Sequence, residues 1–320
     1  MSRAGSAADR GLTAVEGLRV GHWSHAEART GCTVVLTPDG GWTVSGLVLG
    51  AAPGTREIAL LEPDKSVRKA HAIVLAGGSA FGLDAASGVV RWLEGRGVGL
   101  ETPFARVPIV PAAVLYDLAV GRADVRPDAE AGAAAAGVAN DGPVACGAVG
   151  VGTGATVGKM RGFEHAVASG VGSVSMRVGD ATVAALAVSN AVGCLVDPAT
   201  GRAVAGVEVT AAEAAELLAF QGDDATRGGG STQGTNTTLV VVATDARLDK
   251  AECRSLAVAG HAGIARVTRP SHTAHDGDTV FVLSSGETEP VPPAVLGPAV
   301  QEVVAAALLR GARAAAAGPP

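Results

Sequence analysis

Aromatic side chains are scarce in this chain. Phe, Trp and Tyr make up 3% of its 320 residues, and Tyr116 is the single tyrosine. The core therefore cannot be filled with large rings, and helices and sheets must approach closely through small side chains. The 45 glycines and long alanine stretches fit that demand. Charge is sparse too, at 18% of residues with a formal net charge of −6. An acidic balance without a basic stripe argues against a nucleic-acid partner. Cys32, Cys146, Cys194 and Cys253 lie far apart with no C-x-x-C pair, which reads as reduced buried thiols rather than disulfides or zinc ligands. The opening MSRAGSAADRG has no apolar h-region, and no run reaches the ~20 apolar residues of a membrane span. The expectation is a cytoplasmic protein with no membrane partner. What the chain does have is apolar mass: 48% hydrophobic residues, enough for one large core.

The informative stretch is Gly228 to Asp245, GGGSTQGTNTTLVVVATD. Its first residues, up to Asn236, are glycine and polar, which predicts a mobile lead. From Thr237 the run Thr-Thr-Leu-Val-Val-Val-Ala-Thr has the β-branched, apolar character of a buried strand. On composition alone such a segment is more often a plain surface connection. If the backbone were cut between Asn236 and Thr237, however, Thr237 would carry a free α-amine at the start of a rigid strand. A threonine hydroxyl with its own amine beside it is an activated nucleophile.

The rest of the chain reads as follows. Residues 1–14 are a loose polar lead, and Val20-Gly-His-Trp is a loop before a strand at Gly31–Leu36. Further strands are expected at Trp42–Leu49, His71–Leu75 and Val107–Tyr116. Gly77-Gly-Ser-Ala-Phe-Gly leads into a helix over Leu83–Glu94. Glycines there could cradle a phosphate on a helix N-terminus, although tight packing is the better reading. Asp128–Asn140 predicts a packed helix. In Gly147–Met160, Lys159 is followed by Met160, so the P-loop spacing fails, and no dinucleotide glycine pattern fits. Val171–Arg177 and Ala181–Val188 predict a hairpin turning at Gly179-Asp180. Thr210 to Glu213 is a capping box opening a helix to about Phe220, and Asp249 to Glu252 caps another. A final helix runs from Pro298 to Arg313. Elements alternating in pairs suggest an α/β protein with sheets packed face to face and helices outside.

Asn236-Thr237-Thr238-Leu239, followed by Val242-Ala-Thr-Asp-Ala246, resembles the self-cleavage junction of the L-aminopeptidase/D-esterase family. That family includes β-peptidyl aminopeptidases, a pantetheine hydrolase and the 6-aminohexanoate-oligomer (nylon-oligomer) hydrolases. The resemblance runs from Val20-Gly-His-Trp to about Phe281-Val-Leu. It implies a four-layer αββα sandwich like that of N-terminal-nucleophile hydrolases, and one domain, residues 1–320, cut into an α chain 1–236 and a β chain 237–320. It also implies the roles. Thr237 is the nucleophile, and Asp276 and Asp278, an Asp-Gly-Asp pair as in the nylon-oligomer branch, hold the amine and move its proton. The aminopeptidase branch tends to have Ser-Gly-Glu there. Asn190 matches the oxyanion asparagine, Lys159 a lysine that orients the hydroxyl, and Tyr116 a substrate-binding tyrosine. No cofactor and no metal are implied. The substrates would be short linear amides, with 6-aminohexanoate oligomers, short peptides and pantetheine-like amides all open, and the assembly a homo-oligomer, a tetramer or larger. Two other chemistries stay in play: an acyltransferase of the ornithine acetyltransferase kind, and a weaker metal reading of His272-x-x-His275-Asp276.

Overall fold

The computed structural model describes residues 10–217 and 235–318. In chain order its main strands are β1 (Arg19–His25), β2 (Thr30–Leu36), β3 (Trp42–Val48), β4 (Thr55–Arg56), β5 (Lys69–Ala70) and β6 (Ala72–Ala76). Helix α1 (Asp84–Glu94), β7 (Ala112–Val114) and α2 (Ala129–Gly137) follow. After these come the hairpin of β8 (Val171–Val178) and β9 (Ala181–Asn190), then β10 (Thr237–Ala246), α3 (Lys250–Val267), β11 (Thr279–Thr288) and α4 (Pro293–Ala316).

Two sheets carry the fold. One is five-stranded in the order β1-β2-β6-β7-β4, the other six-stranded in the order β8-β9-β10-β11-β3-β5. Three apolar layers hold them together. α1 and α2 bring Val89, Leu93 and Ala135 onto Val34, Leu36 and Val74 of the first sheet. Between the sheets, Val35, Ile73 and Leu75 meet Leu186, Leu239, Val241 and Phe281. On the far side, Val240, Val242 and Val280 pack under Leu256 and Ile264 of α3 and Val300, Val303 and Leu308 of α4. The result is helix, sheet, sheet, helix. Successive side chains of a strand face opposite ways, so β10 sends Leu239 and Val241 to one core and Val240 and Val242 to the other. Its apolar run is unbroken because both faces are buried.

Some expectations are corrected. Val20-Gly-His-Trp is not a loop but part of β1, paired with β2 from Arg19↔Leu36 to His25↔Thr30. Gly21 marks a close backbone approach there rather than a turn: a Cβ on it would stand 2.0 Å from Ala135 O in α2. Residues 11–14, expected as part of a loose lead, form a short 3-10 helix with Leu12 fully buried, and residues 1–9 lie outside the described residues. Val107–Tyr116 is not one strand: Val107 ends a two-residue strand with Arg106, and only the three-residue β7 follows, because Pro108 and Pro111 cannot donate to a ladder. The last helix begins at Pro293 and carries Pro298 inside it. By length and composition α4 could cross a membrane, yet its apolar face is packed against α3 and the second sheet. The glycine-rich lead over 228–234, and the helix beyond 217, lie outside the described residues.

Candidate active site

Thr237 is the first residue of β10 and sits opposite Asn190, the last residue of β9. β11 runs parallel to β10 from Thr279, so the loop just before it, Asp276-Gly277-Asp278, lies level with the start of β10. An isolated parallel bridge joins Asn236 to Asp276. Two parallel strands beginning side by side thus bring the threonine and both carboxylates together from positions far apart in sequence.

The two aspartates make different bonds. Asp278 Oδ1 accepts the Thr238 N–H at 2.6 Å, and its Oδ2 accepts the His272 N–H at 3.2 Å. His272 Nδ1 lies 2.7 Å from that same Oδ2. Asp276 Oδ2 accepts from the N–H and the hydroxyl of Thr273 at 2.8 and 2.7 Å. Its Oδ1 is buried with no hydrogen-bond partner among the described residues. Burial, and next the neighbouring Asp278, push the Asp276 pKa up to about 6, against the pull of Thr273 and Lys159.

Gly277 places its N–H 2.9 Å from the Asn236 carbonyl oxygen, the carbonyl before Thr237. The Thr237 hydroxyl donates to the same oxygen at 2.5 Å. A Cβ on Gly277 would stand 2.6 Å from Ala52 O and 3.0 Å from Thr237 Oγ1, so only glycine fits between the carboxylates.

Lys159 reaches in from the glycine-rich stretch, held by bonds from the Gly158 and Lys159 N–H groups to Gly193 O and Val192 O. Its Nζ donates to Asn190 O at 2.9 Å and to Asn190 Oδ1 at 3.1 Å. Burial lowers its pKa to about 7, with Asp276 opposing. Asn190 Oδ1 also accepts the Thr156 N–H at 3.0 Å. Its Nδ2 donates to the main-chain carbonyls of Tyr116 at 2.9 Å and Thr235 at 3.2 Å. Tyr116 is therefore linked to the cluster through its backbone, while its ring is half-buried.

The Gly77–Gly82 turn has no room for a phosphate. Asp117 fills it, accepting Thr30 Oγ1 and the Gly78 N–H at 2.7 Å each, and a Cβ on Gly77 would meet Asp117 Oδ2 at 2.0 Å. His272 faces Asp278 rather than sharing a centre with His275 and Asp276. No group of three or more His, Cys, Asp or Glu among the described residues is placed to hold a metal. The Gly277 N–H on Asn236 O and the His272–Asp278 contact were not legible in the sequence. A glycine between two acids was the available signal for the first, and nothing local signalled the second.

The cluster is closed while the chain is continuous: Thr237 is 3% exposed, Lys159 4% and Asp276 0%. A surface cleft of about 490 Å³ lined by Arg68, Lys69, His71 and Arg106 shares no residue with it.

A helix–sheet–sheet–helix sandwich with a threonine opening a central strand beside acidic, amide and amine side chains defines the N-terminal-nucleophile hydrolase fold. The chain belongs to peptidase family S58, whose model matches residues 10–318, and it is a hydrolase of amide bonds. It is 44% identical over 315 residues to an uncharacterized aminopeptidase of Mycobacterium tuberculosis, covering 92% of this chain and 88% of that one. A 6-aminohexanoate-oligomer endohydrolase of Paenarthrobacter ureafaciens is 32% identical over 278 residues, 85% of this chain and 74% of the relative. Among solved structures, the L-aminopeptidase D-Ala-esterase/amidase of Ochrobactrum anthropi superposes with a TM-score of 0.70 at 17% identity. That match covers 96% of this chain and 87% of the other. A Burkholderia β-aminopeptidase gives 0.68 at 21% identity, over 96% and 86%.

Proposed function

We propose that the chain cuts itself between Asn236 and Thr237 and then hydrolyses short linear amides with the freed Thr237. The observation that carries this is the environment of one carbonyl. Asn236 O accepts from both the Thr237 hydroxyl and the Gly277 N–H, beside the Asp276–Asp278 pair. In the cut, Thr237 Oγ1 adds to the Asn236 carbonyl carbon, and charge grows on the oxygen that Gly277 already holds. As the C–N bond breaks, the Oγ1 proton passes to the departing nitrogen to give the free α-amine, and water hydrolyses the resulting ester to leave an Asn236 carboxylate and restore the Thr237 hydroxyl. The new α-amine, with a reference pKa of about 7.7–8.0, then serves as base for its own hydroxyl. It takes the Oγ1 proton as the substrate amide is attacked and passes it to the leaving amine; water releases the acyl group. Departure of the new chain end frees Asn190 Nδ2 from Thr235 O, giving the substrate's oxyanion a donor. Lys159 fixes Asn190, and Tyr116 borders the opened space.

Similarity to both an aminopeptidase and a 6-aminohexanoate-oligomer endohydrolase, with an Asp-Gly-Asp pair, favours linear ω-amino-acid amides and short peptides as substrates, handled in the cytoplasm. Intact mass under denaturing conditions, with sequencing of any second N-terminus, tests the cut. The expected result is two pieces, 1–236 and 237–320, in wild type and in Thr238→Ala, and one uncut, inactive chain in Thr237→Ala. A full-length wild-type chain that hydrolyses amides would refute the mechanism.

A further inference from the structure

His272 is the one residue of the loop before β11 whose backbone lies in the left-handed region without being glycine, at φ 55°. That conformation sets both its N–H and its ring beside one oxygen, Asp278 Oδ2: the N–H donates at 3.2 Å, and ring Nδ1 lies 2.7 Å away, an ion-pair contact outside hydrogen-bond geometry. The far ring nitrogen, Nε2, lies 3.3 Å from His261 O. A carbonyl can only accept, so Nε2 carries a proton, and a second proton on Nδ1 makes the ring a cation against the carboxylate. Behind it the His261 ring stands edge-on at 5.0 Å, with its Nε2 on Leu47 O at 2.9 Å. Burial lowers the His261 pKa to about 4, so that ring is neutral and adds no competing charge. Burial also pulls the His272 pKa down, but the contact and charge of Asp278 outweigh it, and the pKa stands above the usual value. The other charged groups are Asp276 on the same loop, Arg254 along α3, which acts on His261, and Lys159, which acts on Asp276.

We propose that His272 is a positioning residue: it pairs with Asp278 and keeps it aimed at the Thr238 N–H, and so leaves Asp276 as the member of the pair that exchanges the proton. This rests on the catalytic reading of the pair given above. The arrangement fits the bonds, because each Asp278 oxygen accepts from a donor while Asp276 keeps one buried oxygen with no partner among the described residues. Without the cation, the carboxylates repel each other with less compensation and Asp276 holds its proton to higher pH.

The test combines two readouts on purified, cleaved protein. In ¹⁵N-histidine NMR, the ring signal absent from His272→Asn is that of His272. It should titrate above the free-histidine range in wild type and fall back in Asp278→Asn, whether or not that variant is cut. With L-alanyl-p-nitroanilide as probe, the acid limb of kcat should move up by about one pH unit in His272→Asn. His272→Gly, whose backbone also accepts φ 55°, should show the same shift. A His272 that titrates as free histidine, or an acid limb unmoved in both variants, overturns the proposal. If wild type leaves the probe intact, the amide-hydrolase reading of this site is what fails, and the NMR titration still decides the ion pair.

Discussion

Asp276 and Asp278 carry the same side chain one residue apart and differ in every bond they make. Each Asp278 oxygen faces a donor, Thr238 N–H on one side and His272 on the other. An asparagine there must turn an N–H₂ group against one of those donors. Asp276 needs only Oδ2 for Thr273, so an asparagine can keep that acceptor and put its N–H₂ where Oδ1 has no partner among the described residues. Asp276→Asn therefore removes chemistry with little damage to shape, while Asp278→Asn removes both. In cleaved enzyme at saturating substrate, Asp276→Asn should lose roughly 10²–10⁴-fold in kcat, the usual worth of positioned acid–base groups. Asp278→Asn should lose more and be less stable as well. Rates within a few-fold of wild type for both would make Asp276-Gly277-Asp278 a mere turn. The residue types of the cluster were legible in the sequence: Thr237 at a polar-to-apolar boundary, two acids around a glycine, Asn190 closing an apolar strand. What stayed hidden depends on directions that only folding sets. Gly277 acts through a main-chain N–H, Tyr116 is tied in by its carbonyl instead of its ring, and His272 matters because α3 places His261 behind it.

At the scale of elements, legibility followed locality. The β8–β9 hairpin with its Gly179-Asp180 turn, the unbroken strand β10 and the Asp249–Glu252 capping box of α3 are written in neighbouring residues, and all three are present. β1 was missed because its reason is distant: a mostly polar edge strand whose Gly21 admits a backbone from α2. The same logic governs α4. A Cβ on Gly172 of β8 would stand 1.9 Å from Ala307 O, and one on Gly311 of α4 2.3 Å from Gly170 O. The helix thus rests on the strand's backbone, a closeness that a chain poor in rings requires. Gly172→Ala should push the two apart and cost about 1–3 kcal/mol, the range for overpacking a filled core. Gly40→Ala, where an added Cβ meets nothing within 4 Å, should stay within about 0.5 kcal/mol of the parent. Urea unfolding in the Thr237→Ala background, expected to be a single uncut chain, measures both without confusing unfolding with separation of pieces. Equal midpoints for the two variants would remove the close-contact account of α4.

The whole molecule decides what a cut at Asn236-Thr237 would do to the fold. The piece from Thr237 onward supplies β10, β11, α3 and α4, and none of these forms a layer alone. In the six-stranded sheet β10 and β11 lie between β9 and β3, both from the other piece, with ladders Val183↔Thr244 to Asn190↔Thr237 on one side and Thr279↔Val48 to Ser284↔Thr43 on the other. Separating the pieces would break two ladders, expose four strand edges and open both cores beside the sheet, so the break in covalent continuity should leave the fold intact. Phe104 is 98% exposed between Leu100 and Val107, themselves 46% and 44% exposed, and an apolar tip of this kind suits burial against a second copy. Sedimentation of cleaved protein should therefore show both pieces in one particle, well above the 31.4 kDa of a single cut chain pair, and only denaturant should part them. Phe104→Ser should lower the particle mass without releasing either piece, since the sheet and the tip hold different things together. Pieces that separate in native buffer would contradict the interleaved sheet, whereas a particle of single-pair mass would contradict the assembly and leave the sheet untouched.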